Sequence, residues 1–458
     1  MIVQKADACA NQGRLVCSVR SMPWAVVFWA VLFCAGLIAS LLLTKESELP
    51  VYVLAAERIV RGEPIYQDEA RAFTYPPLFA LPCVPLVWLP EAARRPVWYS
   101  VNFAALLVIG LLLRRRLQFV LAEGTNGRGP APWVFWGLVV VMVGRHIVTV
   151  LERGSHDLLV FLCTFLAIDA LCIGRSKTAG LWAGLGAALK ATPLLFAPVL
   201  LWQRRFVAVT CLALALLTGL FLPDLLCPAK DGTLWTVGWH RTFLTAIKPG
   251  ESAASSAWSP WWSLNQSLAG TIHRLFMHPG PDNHDEFDVI LFDLGPAGLR
   301  AVTLAGQLAV AAWLFWLTRP KLSRHLPAGE QAFARLGEGA AVLTAMVLLS
   351  PTSIKNHFCV MLVPITFCLA DFLYRRRDPI VGAALAVVFV LGTLTVKAII
   401  PRGAADWLLA AGSQTWCAVA LYLATGRILL QRAGLVEESA RLPNSILPPE
   451  WAARLRAA

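Results

Sequence analysis

Several ionisable side chains interrupt the apolar parts of this 458-residue chain, and their types could support chemistry. Glu48 directly follows the first long apolar run, where a carboxylate could act as a general base that removes a proton from an attacking hydroxyl. Arg145 lies within a later apolar run, and Lys190 lies at a break in another, so either cation could bind an anion such as phosphate. For each residue alone, a charge at a helix start or a snorkelling side chain is the alternative interpretation.

Two further candidate positions lie later in the chain. Arg274 and His357 each follow a polar stretch, and each could also be a satisfied interhelical hydrogen-bonding group. Together with Arg145 and Lys190 they form four cationic or histidine sites, and we expect all four on the membrane face that carries Glu48. This convergence favours an anion-binding site at that face.

The composition identifies the elements that must hold these residues. Apolar residues make up 57% of the chain and charged residues 15%, against roughly 45–50% and 25% in soluble domains. A net charge of +12 would suggest nucleic acid in a polar chain, but here the charges stand between apolar runs of membrane-spanning length. We therefore expect a membrane protein with no nucleic-acid partner. About ten spans are predicted, at 23–43, 97–113, 133–150, 158–173, 206–222, 296–318, 338–353, 358–373, 379–399 and 407–425.

Two more apolar stretches, 74–90 and 178–201, are interrupted by prolines. Because proline removes a helix hydrogen bond, such stretches either cross fully or enter and return as broken re-entrant hairpins. The positive-inside rule favours hairpins, since they put eight basic residues inside and three outside, against five and six for full crossings. The prediction is thus 10–12 membrane segments. With hairpins, the inside residues are Arg114, Arg115, Arg116, Arg128, Arg175, Lys177, Arg204 and Arg205, and the outside ones are Arg94, Arg95 and Arg153.

The predicted fold is an all-α polytopic membrane protein with both termini in the cytoplasm. Residues 1–22 form a short N-terminal segment, and the first span is an uncleaved signal anchor. Residues 23–425 form one membrane domain with outer loops at 44–73 and 223–295, and residues 426–458 form a cytoplasmic tail.

The outer loops contain two recognisable patterns. Residues 50–62 predict an amphipathic helix on the outer leaflet that ends at a glycine, with an apolar stripe of Val51, Leu54, Ala55 and Ile59. The acid-rich stretch 279–293 lacks the glycine and the regular spacing of a calcium loop. It indicates a solvated loop, and no metal site is expected.

Six short motifs occur in order along the chain: Glu48-Leu49-Pro50-Val51-Tyr52, Gly62-Glu63-Pro64-Ile65-Tyr66, Tyr75-Pro76-Pro77-Leu78, Gly180-x-x-x-Gly184 before Lys190-Ala191-Thr192-Pro193, Asn265-Gln266-Ser267, and Ser350-Pro351-x-Ser353 with His357. In this order they resemble glycosyltransferase family 87. These are the polyprenyl-phosphate-mannose-dependent mannosyltransferase-like membrane proteins of the GT-C superfamily. The resemblance covers roughly residues 23–425.

The resemblance implies a GT-C-like bundle that transfers a hexose, with mannose expected, from a polyprenyl-phosphate-linked sugar to a cell-envelope glycolipid or polysaccharide. Transfer would invert the anomeric centre at the outer face, and Glu48 occupies the place of the family's carboxylate base. No cofactor or metal is implied, because side-chain cations can stabilise a leaving phosphate monoester. Membrane lipid is a further expected partner. The resemblance points to donor phosphate or sugar binding by Lys190, Arg274, His357, Arg145, Tyr75, Asn265, Gln266 and Asp157.

The chain departs from the family pattern at three places. Glu48 stands where the family usually has the shorter Asp. The stretch 154–157 reads Gly-Ser-His-Asp where Gly-Gln-x-Asn is usual, and residues 354–356 read Ile-Lys-Asn where Trp-x-His is usual. We expect the second and third departures to remove sugar or phosphate contacts and to add charge.

Two other functions fit the same features. A transporter or flippase of lipid-linked saccharide also needs broken helices and intramembrane charge, although the lack of internal repeats and the unequal loops disfavour it. A catalytically inactive family member is the other alternative, and the departures at 154–157 and 354–356 give it some weight. For all three functions the expected location is the bacterial plasma membrane.

Overall fold

The computed structural model describes residues 22–42, 47–66, 72–124, 129–246, 259–278, 288–320, 326 and 328–441, and these residues form helices joined by turns, with no strand among them. The predictions for residues 1–21, most of the acid-rich stretch and the tail beyond 441 lie outside the described residues. In chain order the helices are α1 Met22–Leu42, α2 Leu49–Arg61, α3 Ala80–Val87, α4 Glu91–Gly124, α5 Pro132–Arg153, α6 Asp157–Cys172, α7 Ser176–Leu189, α8 Phe196–Trp202, α9 Phe206–Leu226, α10 Trp235–Thr242, α11 Leu268–Phe276, α12 Gly295–Leu317, α13 Ala328–Leu349, α14 Leu362–Tyr374, α15 Pro379–Val387, α16 Arg402–Ala410 and α17 Ser413–Arg441.

The number of helices that could cross a membrane is smaller than the predicted ten. Among the described residues, six are long and apolar enough, and the pair α16 and α17, bent by 55°, adds a seventh. The predicted span 23–43 coincides with α1, which has 21 residues, whereas 158–173 and 379–399 fall on shorter or broken helices. Helix α6 has 16 residues, and α15 has 9 before the chain continues as a π-helix over Val388–Leu394. The predicted tail also differs, because α17 extends to Arg441.

The chain reverses direction between α7 and α8, as predicted for 178–201. At one end, the Arg205 guanidinium donates to the Ser176 hydroxyl at 3.2 Å, so the chain after α8 returns to the start of α7. Lys190 lies at the other end in an extended conformation, between α7 and a 3-10 turn over Thr192–Leu195. Pro193 lacks the N–H that would continue α7, which explains the break. The fold-back presents Lys190 at its tip.

The second predicted hairpin, over 74–90, differs in shape, because the segment has one short helix in place of two arms, although it returns to the end at which it starts, as predicted. A 3-10 turn over Pro77–Phe79 continues directly into the single short helix α3. The ring of Tyr75 lies 4.2 Å from the ring of His156, and the Trp98 indole donates to the Gly154 carbonyl at 2.7 Å, so the segment starts and ends at the same end of the bundle. Several of its prolines sit in the first turns, where no helix N–H bond is lost. We call this end, which carries residues 48, 154–157 and 190, the Glu48 end.

The predicted amphipathic helix exists as α2, and Gly62 ends it with φ +66°. Its buried face overlaps the predicted stripe only in part: Ala55 and Ile59 are buried as predicted, but Tyr52 and Val53 are buried with them and Leu54 is exposed. That face packs against α3, with the Tyr52 and Phe79 rings 4.8 Å apart. The helix is therefore part of the protein core, because α3 covers the face that was expected to meet lipid.

Glycines bring α7 and α9 into close contact. A Cβ atom on Gly180 would lie 2.1 Å from the Ala208 carbonyl oxygen, and one on Gly184 would lie 2.4 Å from the Leu212 carbonyl oxygen. Small residues four apart allow such backbone approach between helices in membranes. This contact fixes the hairpin that carries Lys190.

We expect Gly184→Val to destabilise the protein by about 3 kcal/mol, the upper part of the range for overpacking, because the clash is with backbone that cannot rotate away. Thermal unfolding of the purified protein in detergent measures the change. Gly137→Val is the matched control, since a Cβ atom there meets nothing within 4 Å. Equal unfolding temperatures for the two variants would contradict the packing argument.

Candidate active site

Glu48 is held at the start of α2 by main-chain and side-chain contacts. Its N–H donates to the Arg153 carbonyl at 2.9 Å, which ties it to the end of α5. One carboxylate oxygen accepts from the Tyr52 hydroxyl at 2.5 Å and the other accepts from the Asn356 amide at 2.7 Å. The side chain is half-buried. Both oxygens therefore have fixed positions while part of the carboxylate remains accessible.

The groups around Glu48 act on its pKa in opposite directions. Burial raises the pKa of Glu48 above its ordinary 4.5, and the nearby charge of Asp157 raises it further. The Tyr52 hydrogen bond and the charge of Lys190 act in the other direction and are the smaller effects. A carboxylate with a raised pKa is a stronger base than an exposed one, which suits proton removal from a hydroxyl.

A second polar group is built around Asp157, the first residue of α6. Its Oδ1 accepts from the Lys190 ammonium at 2.6 Å and its Oδ2 accepts from the Ser155 hydroxyl at 2.7 Å. Lys190 also lies 2.7 Å from Nε2 of His357. Because an ammonium only donates, that nitrogen is the acceptor, which assigns a neutral ring to His357. The Lys190 ammonium therefore donates hydrogen bonds to both a carboxylate and an imidazole.

Aromatic rings form one wall of the site. The His156 ring lies 4.2 Å from that of Tyr75 and 4.1 Å from that of Phe79, and its Nδ1 is 3.1 Å from the Tyr52 hydroxyl. Burial lowers the pKa of His156 to about 3, so the ring is neutral. The Lys190 ammonium sits 5.8 Å from the centre of the Tyr75 ring. This wall connects the Glu48 carboxylate to the Asp157 group.

A cavity opens beside the Asp157 group. Its lining is partly polar and partly apolar. It is lined by Asp157, Lys190, His357, Thr164, Thr192, Ser350 and Ser353, together with Val160, Phe161, Met346, Val347, Cys359 and Val360.

Three predicted site residues have other contacts. Arg274 is buried and donates to the backbone carbonyls of Ala410, Pro260, Trp262 and Asn265. The Asn265 amide oxygen accepts from the Ser267 and Ser353 N–H groups. The Gln266 amide donates to the Ser263 and Leu409 carbonyls. These side chains hold the 259–267 loop against residues 350–353 and α16, and we leave them out of the site.

Arg145 lies on α5 and faces a different neighbour from Lys190. It donates to the Gly392 carbonyl at 3.2 Å and to the Thr395 hydroxyl at 3.3 Å, both at the end of the π-helix. The structure therefore brings together Glu48, Tyr75, Asp157, Lys190 and His357 from the predicted set.

Sequence reasoning missed three members of this group, Tyr52, Ser155 and Asn356. Tyr52 could have been found, because residues four apart in a helix share a face. The stretch 154–157 and residue 356 were expected to have lost contacts, yet Ser155, Asp157 and Asn356 make the central hydrogen bonds. Among the described residues, no group of three or more His, Cys, Asp or Glu side chains is arranged to hold a metal ion.

The family model of glycosyltransferase family 87 matches residues 73–351, more than half of the chain, and the chain belongs to this family. With its apolar helices of spanning length, it is a multi-pass membrane protein of a glycosyltransferase family. Four site residues, Glu48, Tyr52, Asn356 and His357, lie outside the matched range.

The curated relatives are mannosyltransferases. The chain is 24% identical over 405 residues to the polyprenol-phosphate-mannose-dependent alpha-(1-2)-phosphatidylinositol mannoside mannosyltransferase of Mycolicibacterium smegmatis, covering 84% of each chain. It is 25% identical over 416 residues to the protein of the same name from Mycobacterium tuberculosis, covering 84% of this chain and 85% of that one. Among solved structures, ArnT from Cupriavidus metallidurans bound to undecaprenyl phosphate matches with a TM-score of 0.41 and 13% identity, over 93% of this chain and 81% of that chain.

Proposed function

We propose that this protein transfers a hexose, with mannose expected, from a polyprenyl-phosphate-linked donor to a glycolipid or polysaccharide of the cell envelope, at the outer face of the bacterial plasma membrane. The observation that carries the proposal is the half-buried Glu48 carboxylate, oriented by Tyr52 and Asn356 and close enough to Asp157 and Lys190 to feel their charges. Membership of a family with polyprenol-phosphate-mannose-dependent relatives supports the choice of donor.

The reaction is a single displacement. Glu48 removes the proton from an acceptor hydroxyl as that oxygen forms a bond to the anomeric carbon of the donor sugar. The bond between the anomeric carbon and the phosphate oxygen breaks, and its electron pair leaves with the polyprenyl phosphate. Attack from the face opposite the leaving group inverts the anomeric configuration. Glu48 releases its proton to water after the product departs.

The Asp157 group has the chemistry for the leaving phosphate and the sugar. Lys190 donates hydrogen bonds to developing negative charge, and the second ring nitrogen of His357 is anchored to the backbone at Thr352. Asp157 holds the Lys190 ammonium in place, and Tyr75 packs beside it. These roles are proposals for Lys190, His357, Asp157 and Tyr75.

The test uses the full-length protein in lipid nanodiscs with a panel of radiolabelled polyprenyl-phosphate sugars and a membrane lipid extract. We expect one donor to be consumed and its label to appear in a lipid or polysaccharide product. A protein that moves a lipid-linked saccharide across vesicles without consuming it would be a flippase, and one that does neither would be an inactive family member. Either result would refute the proposal.

The variant Tyr52→Phe tests whether the Tyr52 hydrogen bond sets the pKa of the Glu48 base. The Tyr52 hydrogen bond lowers the pKa of Glu48, so its removal raises that pKa and protonates the base at a higher pH. A hydrogen bond to a charged group contributes about 1.5–3 kcal/mol, and one pH unit corresponds to 1.36 kcal/mol. We therefore expect the acid side of the rate profile to move up by about one to two pH units.

The measurement is the pH dependence of kcat/KM for native and variant protein. Tyr99→Phe is the control, since the Tyr99 hydroxyl bonds only the Phe33 carbonyl, at 3.3 Å, among the contacts described. A profile that is unchanged in Tyr52→Phe, or moves to lower pH, would contradict the assignment of Glu48 as the titrating base.

A further inference from the structure

A group of cationic side chains around Lys355 has no role in the mechanism above. Arg145 and Arg153 project from α5, Lys355 starts the 3-10 turn over Lys355–Met361, and Lys397 follows the π-helix. Helix α5 packs against the turn that Lys355 starts, and Arg145 donates to the Thr395 hydroxyl at 3.3 Å, two residues before Lys397. The charges of Arg145, Lys397 and Arg153 each repel the Lys355 ammonium. We call these four residues the Lys355 cluster.

The charge of the cluster is largely uncompensated. Within the described part of the chain, Lys355, Arg145 and Arg153 have no carboxylate within 4.0 Å, and only Lys397 has one, Asp406 at 2.7 Å. Attraction by Asp406 is the weakest of the charge effects on Lys355. Lys190 differs in this respect, because Asp157 contacts it at 2.6 Å. Half-buried like charges repel each other unless an anion binds among them.

The cluster is attached to the base on two sides. The Arg153 carbonyl accepts from the Glu48 N–H at 2.9 Å, and Asn356, the residue after Lys355, donates to the Glu48 carboxylate at 2.7 Å. These two contacts hold the main chain of Arg153 and Lys355 beside the start of α2, so an anion bound between their side chains lies at the Glu48 end of the bundle. Guanidinium and ammonium groups together match the oxygens of a phosphate.

We propose that the Lys355 cluster binds the phosphate group of an anionic lipid acceptor and so presents that acceptor's hydroxyl to Glu48. The inference rests on the proposed function, in which Glu48 faces the acceptor. It makes Lys355 a specificity-determining residue that selects phosphate-bearing acceptors over neutral ones. The leaving phosphate of the donor has the same chemistry and is the competing source of the bound anion.

The experiment measures lipid binding by the full-length protein in detergent, using isothermal titration calorimetry. The probes are dioctanoyl phosphatidylglycerol, a neutral dioctanoylglycerol glucoside and undecaprenyl phosphate. We expect Lys355→Gln to weaken phosphatidylglycerol binding by tenfold or more and to leave the other two unchanged. Asp406→Asn, which frees Lys397, is expected to strengthen phosphatidylglycerol binding. Lys230→Gln is the control, because Lys230 is an exposed cation at the same end of the bundle.

Each contrary outcome has a definite meaning. If Lys355→Gln instead weakens the binding of undecaprenyl phosphate, the cluster binds the leaving phosphate and the acceptor assignment is overturned. If the substitution changes the affinity for none of the probes, or lowers the affinity for all three equally, the site is refuted. Binding is measured without turnover, so a protein that shows the expected binding shift but transfers no sugar would refute the proposed function and leave the anion site standing.

Discussion

Glu48→Gln is expected to lower kcat for sugar transfer by about 10⁴-fold, the upper limit for loss of a general base, with little change in KM for the donor. Glutamine has the shape of glutamate and can still accept from Tyr52, but it cannot take a proton from the acceptor hydroxyl. Single-turnover assays with a labelled donor in nanodiscs measure the change directly. Full activity of this variant would refute the mechanism.

Glu48→Asp separates the position of the base from its chemistry. The carboxylate withdraws by roughly 1.5 Å, one carbon–carbon bond, and loses its hydrogen bonds to Tyr52 and Asn356. Because a misplacement of about 1 Å lowers rates by about 10²-fold, we expect a variant slower than native but faster than Glu48→Gln. Glu57→Gln is the control, since Glu57 lies on the same helix and pairs only with Arg61 at 4.0 Å among the contacts described.

Lys190→Met is expected to abolish transfer and also to destabilise the protein by about 3–5 kcal/mol, because it leaves Asp157 as a buried charge without its cation. Loss of activity in this variant alone would not separate binding from folding. The double variant Lys190→Met/Asp157→Asn removes both charges, so we expect most of the stability to return while transfer stays absent. Thermal unfolding and donor turnover of the same preparations provide the two readouts.

A second buried ion pair provides the matched control. Arg116 contacts Asp169 at 2.5 Å with similarly low exposure, and Asp169 lies twelve residues after Asp157 on α6, about 18 Å away along the helix. Arg116→Met/Asp169→Asn is expected to be stable and active. If Lys190→Met/Asp157→Asn is also active, then Lys190 has only a structural role and the donor phosphate binds elsewhere.

Local sequence patterns were sufficient for several conclusions. Apolar runs of membrane length identified a polytopic helical protein, because hydropathy is a property of neighbouring residues. The order of six motifs indicated the family that the family model then matched. The proline in 192–195 indicated the break at which Lys190 lies. Glu48 was singled out by its place directly after a span, and its catalytic role is still a prediction.

The tertiary structure decided which charged residues are available for chemistry. Arg274 and Lys190 looked equivalent in the sequence, but Arg274 meets four backbone carbonyls whereas Lys190 meets Asp157. The Glu48 carboxylate is oriented by Asn356, which is 308 positions away. The face of α2 that is buried depends on α3, which no periodicity within α2 reveals. A residue's hydropathy and helix preference are local, whereas the compensation of its charge depends on which helix ends meet in space.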